Sequence, residues 1–273
     1  MRTFALTYPQ LMHQAITLGL GPDELVQLRQ AYELAERMAD GLYRAQGMPF
    51  ICHLVRTASI VLAEGQPVEV VVASLTHSAY MLHCFDDSCR SQRTAPLRRQ
   101  LLREIPQSVE ALIAGYDRFP WHSKQAVESY LDSAAEASAM TRQVLIMRLA
   151  NELEDYLDLG MAFRGSRHPY RQRVQTYGPL LVELARRVGS AQLAHELRQA
   201  FDLCLAAALP EVVVRNRRDA YELPRRRWGQ MGVIERAVRA GRWRVKRFIK
   251  NGHKRTEAGD QATTTEGASC GNR

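Results

Sequence analysis

The sequence predicts an all-α fold. Apolar residues recur every three or four positions through most of the first 210 residues, no strand–helix–strand alternation interrupts them, and no Asn-Gly or Asp-Gly pair sits between two strand-like runs there. With 273 residues, 46% hydrophobic and 24% charged, the chain has enough apolar mass for a substantial core. Collagen-like, wholly disordered and membrane-spanning classes are excluded on the same grounds. No run approaches the roughly 18 apolar residues of a membrane span, and the first twenty residues lack the unbroken apolar stretch of a signal peptide.

The elements follow in order. From Pro22 to Asp40, Leu25, Leu28, Ala31, Leu34, Ala35 and Met38 mark one face of an amphipathic helix, which Gly41 ends. A polar loop with Gly47 and Pro49 leads to a second helix over ICHLVRTASIVLAEG, closing near Gly65. Gln66-Pro67 then opens VEVVVASLTHSAYMLHCF, whose apolar residues all round predict a helix buried at the centre of the domain. Further helical patterns cover 97–104, 107–116, 123–138, 140–159, 171–188 and 190–209, punctuated by Gly160, the 165–169 loop and Gly189. No internal repeat of 20–50 residues is visible.

The formal charge of +8 is unevenly placed. Residues 211–255 hold 15 Lys and Arg against 4 Asp and Glu, whereas residues 1–210 hold 21 against 22. The expected division is therefore a near-neutral helical body over 1–210, an Arg-rich amphipathic extension over 211–253 and a disordered tail over 254–273 with almost nothing to bury. Five scattered cysteines, Cys52, Cys84, Cys89, Cys204 and Cys270, suggest no disulfide framework. The expected location is the cytoplasm, with peripheral attachment to a membrane as the variant that the basic extension suggests.

Two pieces of the body resemble the hydrolase domain of the RelA/SpoT family, HD-superfamily enzymes that remove the 3′-pyrophosphate from (p)ppGpp. One is AYELAERMADGLYRAQGMPFICHLVRTASIVLAEG with ASLTHSAY; it is similar to the family's helix, Arg-containing loop, Pro-aromatic-Ile-x-His segment and His-Asp helix. The other is VLIMRLANELEDYLD, at the place of the family's Lys-Leu-Ala-Asp helix, followed by a similar closing helix pair. The resemblance spans roughly residues 25–205, is closest to the small stand-alone hydrolases, and implies an HD-domain helical bundle. It also implies a divalent metal, typically manganese, held by two His and two Asp, with an acidic pair beyond the His-Asp to handle the attacking water.

Residue by residue the match is partial. His53 and His77 stand at the two metal-ligand histidines. Ser78 stands in place of the first Asp ligand, Asn151 in place of the second, and Met81 and Leu82 replace the acidic pair. Losing two formal negative charges weakens the hold on a hard dication, and Met and Leu cannot act as bases. The expectation is a vestigial metal centre and no catalytic residue, with His53 and His77 as hydrogen-bonded core histidines. Arg44 matches the Arg that packs on the guanine base in the family, and Arg148, Arg171 and Arg173 could add positive charge for a nucleotide or phosphorylated small molecule. Against that, Glu152 replaces an Arg and would repel a pyrophosphate. A rebuilt, softer site from Cys52, His53, His77, His83, Cys84 and Cys89 would favour zinc over manganese, although the spacing matches no standard zinc pairing.

In the extension, Ile234, Val238, Gly241, Val245, Phe248 and Ile249 form one helical stripe. Arg236, Arg239, Arg242, Trp243, Lys246, Arg247 and Lys250 lie off it, a pattern suited to an anionic membrane surface or a protein partner, with nucleic acid ranked behind. The functional expectation is a (p)ppGpp-hydrolase-like HD-domain protein, catalytically impaired and acting by binding a ligand or partner. The alternative is an active, divergent metal-dependent phosphohydrolase.

Overall fold

A computed structural model describes residues 1–82, 94–119, 121, 123–164 and 169–214. Among these the regular structure is helical, with a single isolated β-bridge between Tyr43 and Pro49. All of them belong to one unit, Met1–Leu223. The extension from Arg215 onward, with its predicted basic helix, lies outside the described residues, as do His83, Cys84 and Cys89.

Ten α-helices follow one another: α1 Tyr8–Thr17, α2 Pro22–Ala39, α3 Phe50–Ala63, α4 Val68–Leu75, α5 Ala95–Leu101, α6 Gln107–Arg118, α7 Lys124–Ser133, α8 Ala139–Tyr156, α9 Tyr170–Arg187 and α10 Ala191–Ala206. The sequence pattern anticipates α2 to α10 to within a few residues, apart from the end of α4. Helix α1 is the one it missed. Its start carries a local signal: the Gln10 side chain accepts from the backbone N–H of Leu6 and Thr7, the reciprocal arrangement of a helix entrance.

Helix α4 is shorter than its apolar run predicts. The run breaks at Thr76, whose hydroxyl donates to the Val72 carbonyl at 2.8 Å and whose backbone has left the helical region. Turns then carry the chain from Thr76 through Leu82. A hydroxyl that bonds back to its own helix offers the backbone an alternative to continuing it.

Helices α3 and α8 form the interior. Every residue of α3 from His53 to Leu62 is buried, and α3 packs on α4 and α8. Helices α9 and α10 pair closely, α7 lies on α9, and α4 contacts α2 and α6. Leu28, Leu34, Phe50, Leu54, Ile60, Leu75, Ile113, Leu145 and Met147 are all fully enclosed. Burial of each such side chain contributes about 1.5–3 kcal/mol. Gly41, at φ 76°, makes the left-handed turn after α2 that a glycine accommodates without strain.

An N-terminal clamp closes the other side of α3. Arg2 donates to Glu196 on α10 through Nε at 2.9 Å, a terminal guanidinium nitrogen at 2.8 Å and its backbone N–H at 3.0 Å. It also reaches the Ala63 carbonyl at 2.8 Å and the Glu64 carboxylate. No helix among the described residues is long and apolar enough to cross a membrane.

Candidate functional site

The two histidines singled out by sequence meet where α3 and the turn after α4 approach the C-terminal half of α8. On α3, His53 and Arg56 are one turn apart. On α8, Asn151, Glu154 and Asp155 share a face through their i, i+3, i+4 spacing, and Asp158 follows in the next turn. The His53 and His77 rings lie 5.3 Å apart, nearly perpendicular. The structure thus brings together the two histidines that the family resemblance matched to metal ligands.

Each imidazole is held by its Nδ1. His53 Nδ1 pairs with the Glu154 carboxylate, and His77 Nδ1 lies 2.6 Å from the Ser74 carbonyl oxygen. A carbonyl and an ionised carboxylate can only accept, so in both rings the Nδ1–H donates. Burial, reinforced for His53 by Arg44 and for His77 by His53, pushes both rings below the ordinary imidazole value; Glu154 opposes this at His53 and the Ser74 carbonyl at His77 without reversing it. Both imidazoles are therefore neutral at pH 7, with Nε2 as the unprotonated nitrogen. Burial would raise the Glu154 carboxyl, but its contact with His53 and the positive charge of Arg44 and Arg56 hold it below the usual carboxylate range.

The remaining charges are matched internally. Arg44, buried, pairs with Asp155 and lies 5.9 Å from the Phe50 ring centroid. Arg56, also buried, pairs with Asp158 at 2.7 Å. Arg148 sits 3.6 Å from the Tyr116 ring centroid and donates to the Tyr116 carbonyl, while Tyr116 packs 4.8 Å from His77. Glu152, expected to repel a phosphate, is buried and accepts from Arg173 and from the Trp121 indole, both at 2.6 Å. Arg171 is placed elsewhere, donating to the Leu205 and Ala207 carbonyls at the end of α10.

Two features mark the end of α8. Asp158 and Leu159 take left-handed φ values of 52° and 61°, conformations that disfavour L-residues. Gly160 follows so closely that a Cβ there would come within 2.6 Å of the Asp155 carbonyl oxygen.

The donor set does not fit the manganese centre that the family resemblance implies. At the positions of the two carboxylate ligands the chain carries a serine at 78 and an amide at 151, and the Glu154 carboxylate faces the Nδ1 side of His53. Among the described residues no group of three or more His, Cys, Asp or Glu could hold a metal ion. Met81 and Leu82 pack against the core and bring no ionisable group. Of the softer zinc set, Cys52 is present on α3, half-buried, with its thiol pushed up chiefly by that burial and so held in the protonated form.

Several polar atoms here are buried without a hydrogen-bond partner: Ser78 Oγ, Glu154 Oε1, Arg44 Nε and Arg148 Nε. Sequence reasoning missed Glu154, Asp155, Tyr116 and Trp121. A signal for the first two was available, since positions three and four after Asn151 must return to the same helix face.

No family model matches the chain. It is 25% identical over 190 residues, 69% of its length, to the bifunctional (p)ppGpp synthase/hydrolase SpoT of Escherichia coli, and equally to a guanosine-3′,5′-bis(diphosphate) 3′-pyrophosphohydrolase of Shigella flexneri. The aligned part is 25% of the length of these relatives. A solved structure of a metazoan ortholog of SpoT that hydrolyses ppGpp superposes with a TM-score of 0.45 and 16% identity, covering 64% of this chain and 94% of that one. The body of this chain is thus similar over 190 residues to SpoT-type (p)ppGpp hydrolases, and its regular structure among the described residues is ten α-helices with no strand.

Proposed function

We propose that this chain is a (p)ppGpp-hydrolase-like protein that no longer hydrolyses its substrate class and acts by binding a ligand or a protein partner. One observation carries the reading. Among the described residues, the ionisable side chains around the expected centre have internal partners: His53 has Glu154, Arg44 has Asp155, Arg56 has Asp158, Arg173 has Glu152 and Arg148 has Tyr116. The seam offers a dication no pair of uncommitted carboxylates and offers a pyrophosphate no uncommitted guanidinium.

A second reading, a divergent metal-dependent phosphohydrolase, draws on the orientation of the histidines. An Nδ1–H fixed to a carboxylate or carbonyl, with Nε2 unprotonated, is how imidazole ligands are held in metal sites. One assay separates the two. Full-length protein incubated with ppGpp and a nucleotide panel, with manganese or with zinc, should release neither phosphate nor pyrophosphate. Release that His77→Ala abolishes would replace the first reading with the second.

Beyond the body, the basic residues Arg236, Arg239, Arg242, Trp243, Lys246, Arg247 and Lys250 suit peripheral attachment to an anionic membrane surface or a protein partner. Co-sedimentation with anionic liposomes should be lost when the chain ends at Leu209, and equal binding by both forms would remove the extension from that role.

A further inference from the structure

We infer that the chain retains the imidazole half of the resembled metal centre, has exchanged its carboxylate half for internal ion pairs, and folds without a divalent cation. This rests on the non-hydrolytic reading above and deepens it.

The two halves separate cleanly in the geometry. The imidazole half is intact, because each ring is fixed by an acceptor on a different element, Glu154 of α8 for His53 and the Ser74 carbonyl of α4 for His77, and the rings face one another at 5.3 Å. The carboxylate half is gone, because Ser78 and Asn151 carry no charge, and a hard dication bound by neutral donors alone gains too little to offset its dehydration. The seam's own charges fill the gap. Asp155 and Asp158 pair with Arg44 and Arg56, and Glu154 accepts from the neutral His53 ring, so α3 and the loop before it are joined to α8 and the turn after it by two ion pairs and one hydrogen bond. A dication added to this arrangement would meet two buried guanidiniums whose carboxylates are already engaged. Ser78 Oγ, 2% exposed and without a partner, marks where the exchange left a polar group stranded.

The exchange should then be reversible at two positions. The test uses full-length protein and the double variant Ser78→Asp/Asn151→Asp, titrated with manganese and followed by loss of the free-ion electron paramagnetic resonance signal and by thermal melting. The parent should leave the manganese signal unchanged and melt identically with manganese and with EDTA. The double variant should take up one manganese per chain and melt roughly 5–10 °C higher at a concentration about a hundred times its dissociation constant. Adding His77→Ala should abolish the uptake.

If circular dichroism shows the double variant unfolded, Ser78→Asp alone, with two imidazoles and one carboxylate, is read by the same signals. A parent that binds manganese or loses stability in EDTA overturns the metal-free part of the inference, and a folded carboxylate variant that binds none overturns the retained imidazole half. Neither outcome concerns turnover, whereas pyrophosphate release by the parent would overturn the non-hydrolytic reading on its own.

Discussion

Glu196 in the N-terminal clamp and Glu154 in the α3–α8 seam are both carboxylates whose side chains are fully enclosed, yet their surroundings differ in kind. Glu196 accepts from Arg2 through three separate donors and from Gln192 at 3.4 Å, so both of its oxygens are occupied. Glu154 has one oxygen on His53 and the other without a partner, and the Ser78 hydroxyl is in the same condition. A buried polar group that is fully satisfied stabilises a fold, and one that is half satisfied detracts from it by about 1–3 kcal/mol. The clamp therefore has the character of scaffold. The seam, by contrast, keeps buried polar groups that are only half satisfied.

The most severe way to break this comparison is at the clamp. Arg2→Met keeps much of the side-chain volume but leaves Glu196 enclosed without its cation, and urea unfolding should show a loss of about 3–5 kcal/mol. A loss within about 0.5 kcal/mol would mean that the clamp is ornamental and the contrast false.

The two regions should also respond differently to pH: both hold a carboxyl below its ordinary value, Glu154 in the seam and Glu196 in the clamp, but the seam adds two imidazoles. His53 and His77 are held below the ordinary imidazole value of 6.5. The unfolded chain thus binds protons there before the native one does, and stability falls as pH drops below about 6.5. At Glu196 burial pushes the carboxyl up, but the hydrogen bonds and charge of Arg2 outweigh it and the net shift is downward from 4.5. Its contribution is present above 4.5 and is lost as pH falls through the native value. Thermal melts from pH 8 to pH 3 should therefore decline in two stages, with the lower stage weakened in Arg2→Met. A single transition unaffected by that substitution would merge the regions.

The smallest expected effect is at the seam. Ser78→Ala removes a hydroxyl that has no partner, so the change should be neutral to stabilising by up to about 1 kcal/mol. A loss of 2 kcal/mol or more would show that the hydroxyl is satisfied in solution.

Much of the fold was legible because periodicity records burial. In α2 the apolar positions named from the sequence are enclosed, Leu25 only partly, and the match of His53 with His77 followed from the family resemblance. Helix α1 escaped because Tyr8, Pro9, Gln10 and His13 dilute its apolar face, although Tyr8 does pack 4.7 Å from Tyr32 of α2. The early end of α4 escaped because an apolar pattern cannot register that a threonine hydroxyl competes for the helix's own carbonyls. At the site, the substituted positions were readable but their replacements' partners were not. That Glu154 meets His53 across 101 residues, and that Glu152 is neutralised by Arg173 and Trp121, depends on how α3, α8 and α9 cross.

Gly160 bears no charge and touches no ring, yet it limits what the seam can become. Its backbone lies where any side chain would push on the Asp155 carbonyl, and Asp155 is the residue that anchors Arg44. Helical φ and ψ values show that the constraint is room rather than backbone freedom. A methyl group added here would therefore push on the last turn of α8 and disturb the residue that holds the Arg44 guanidinium. The tolerance of the whole centre to sequence drift is governed in part by a position that carries none of its chemistry.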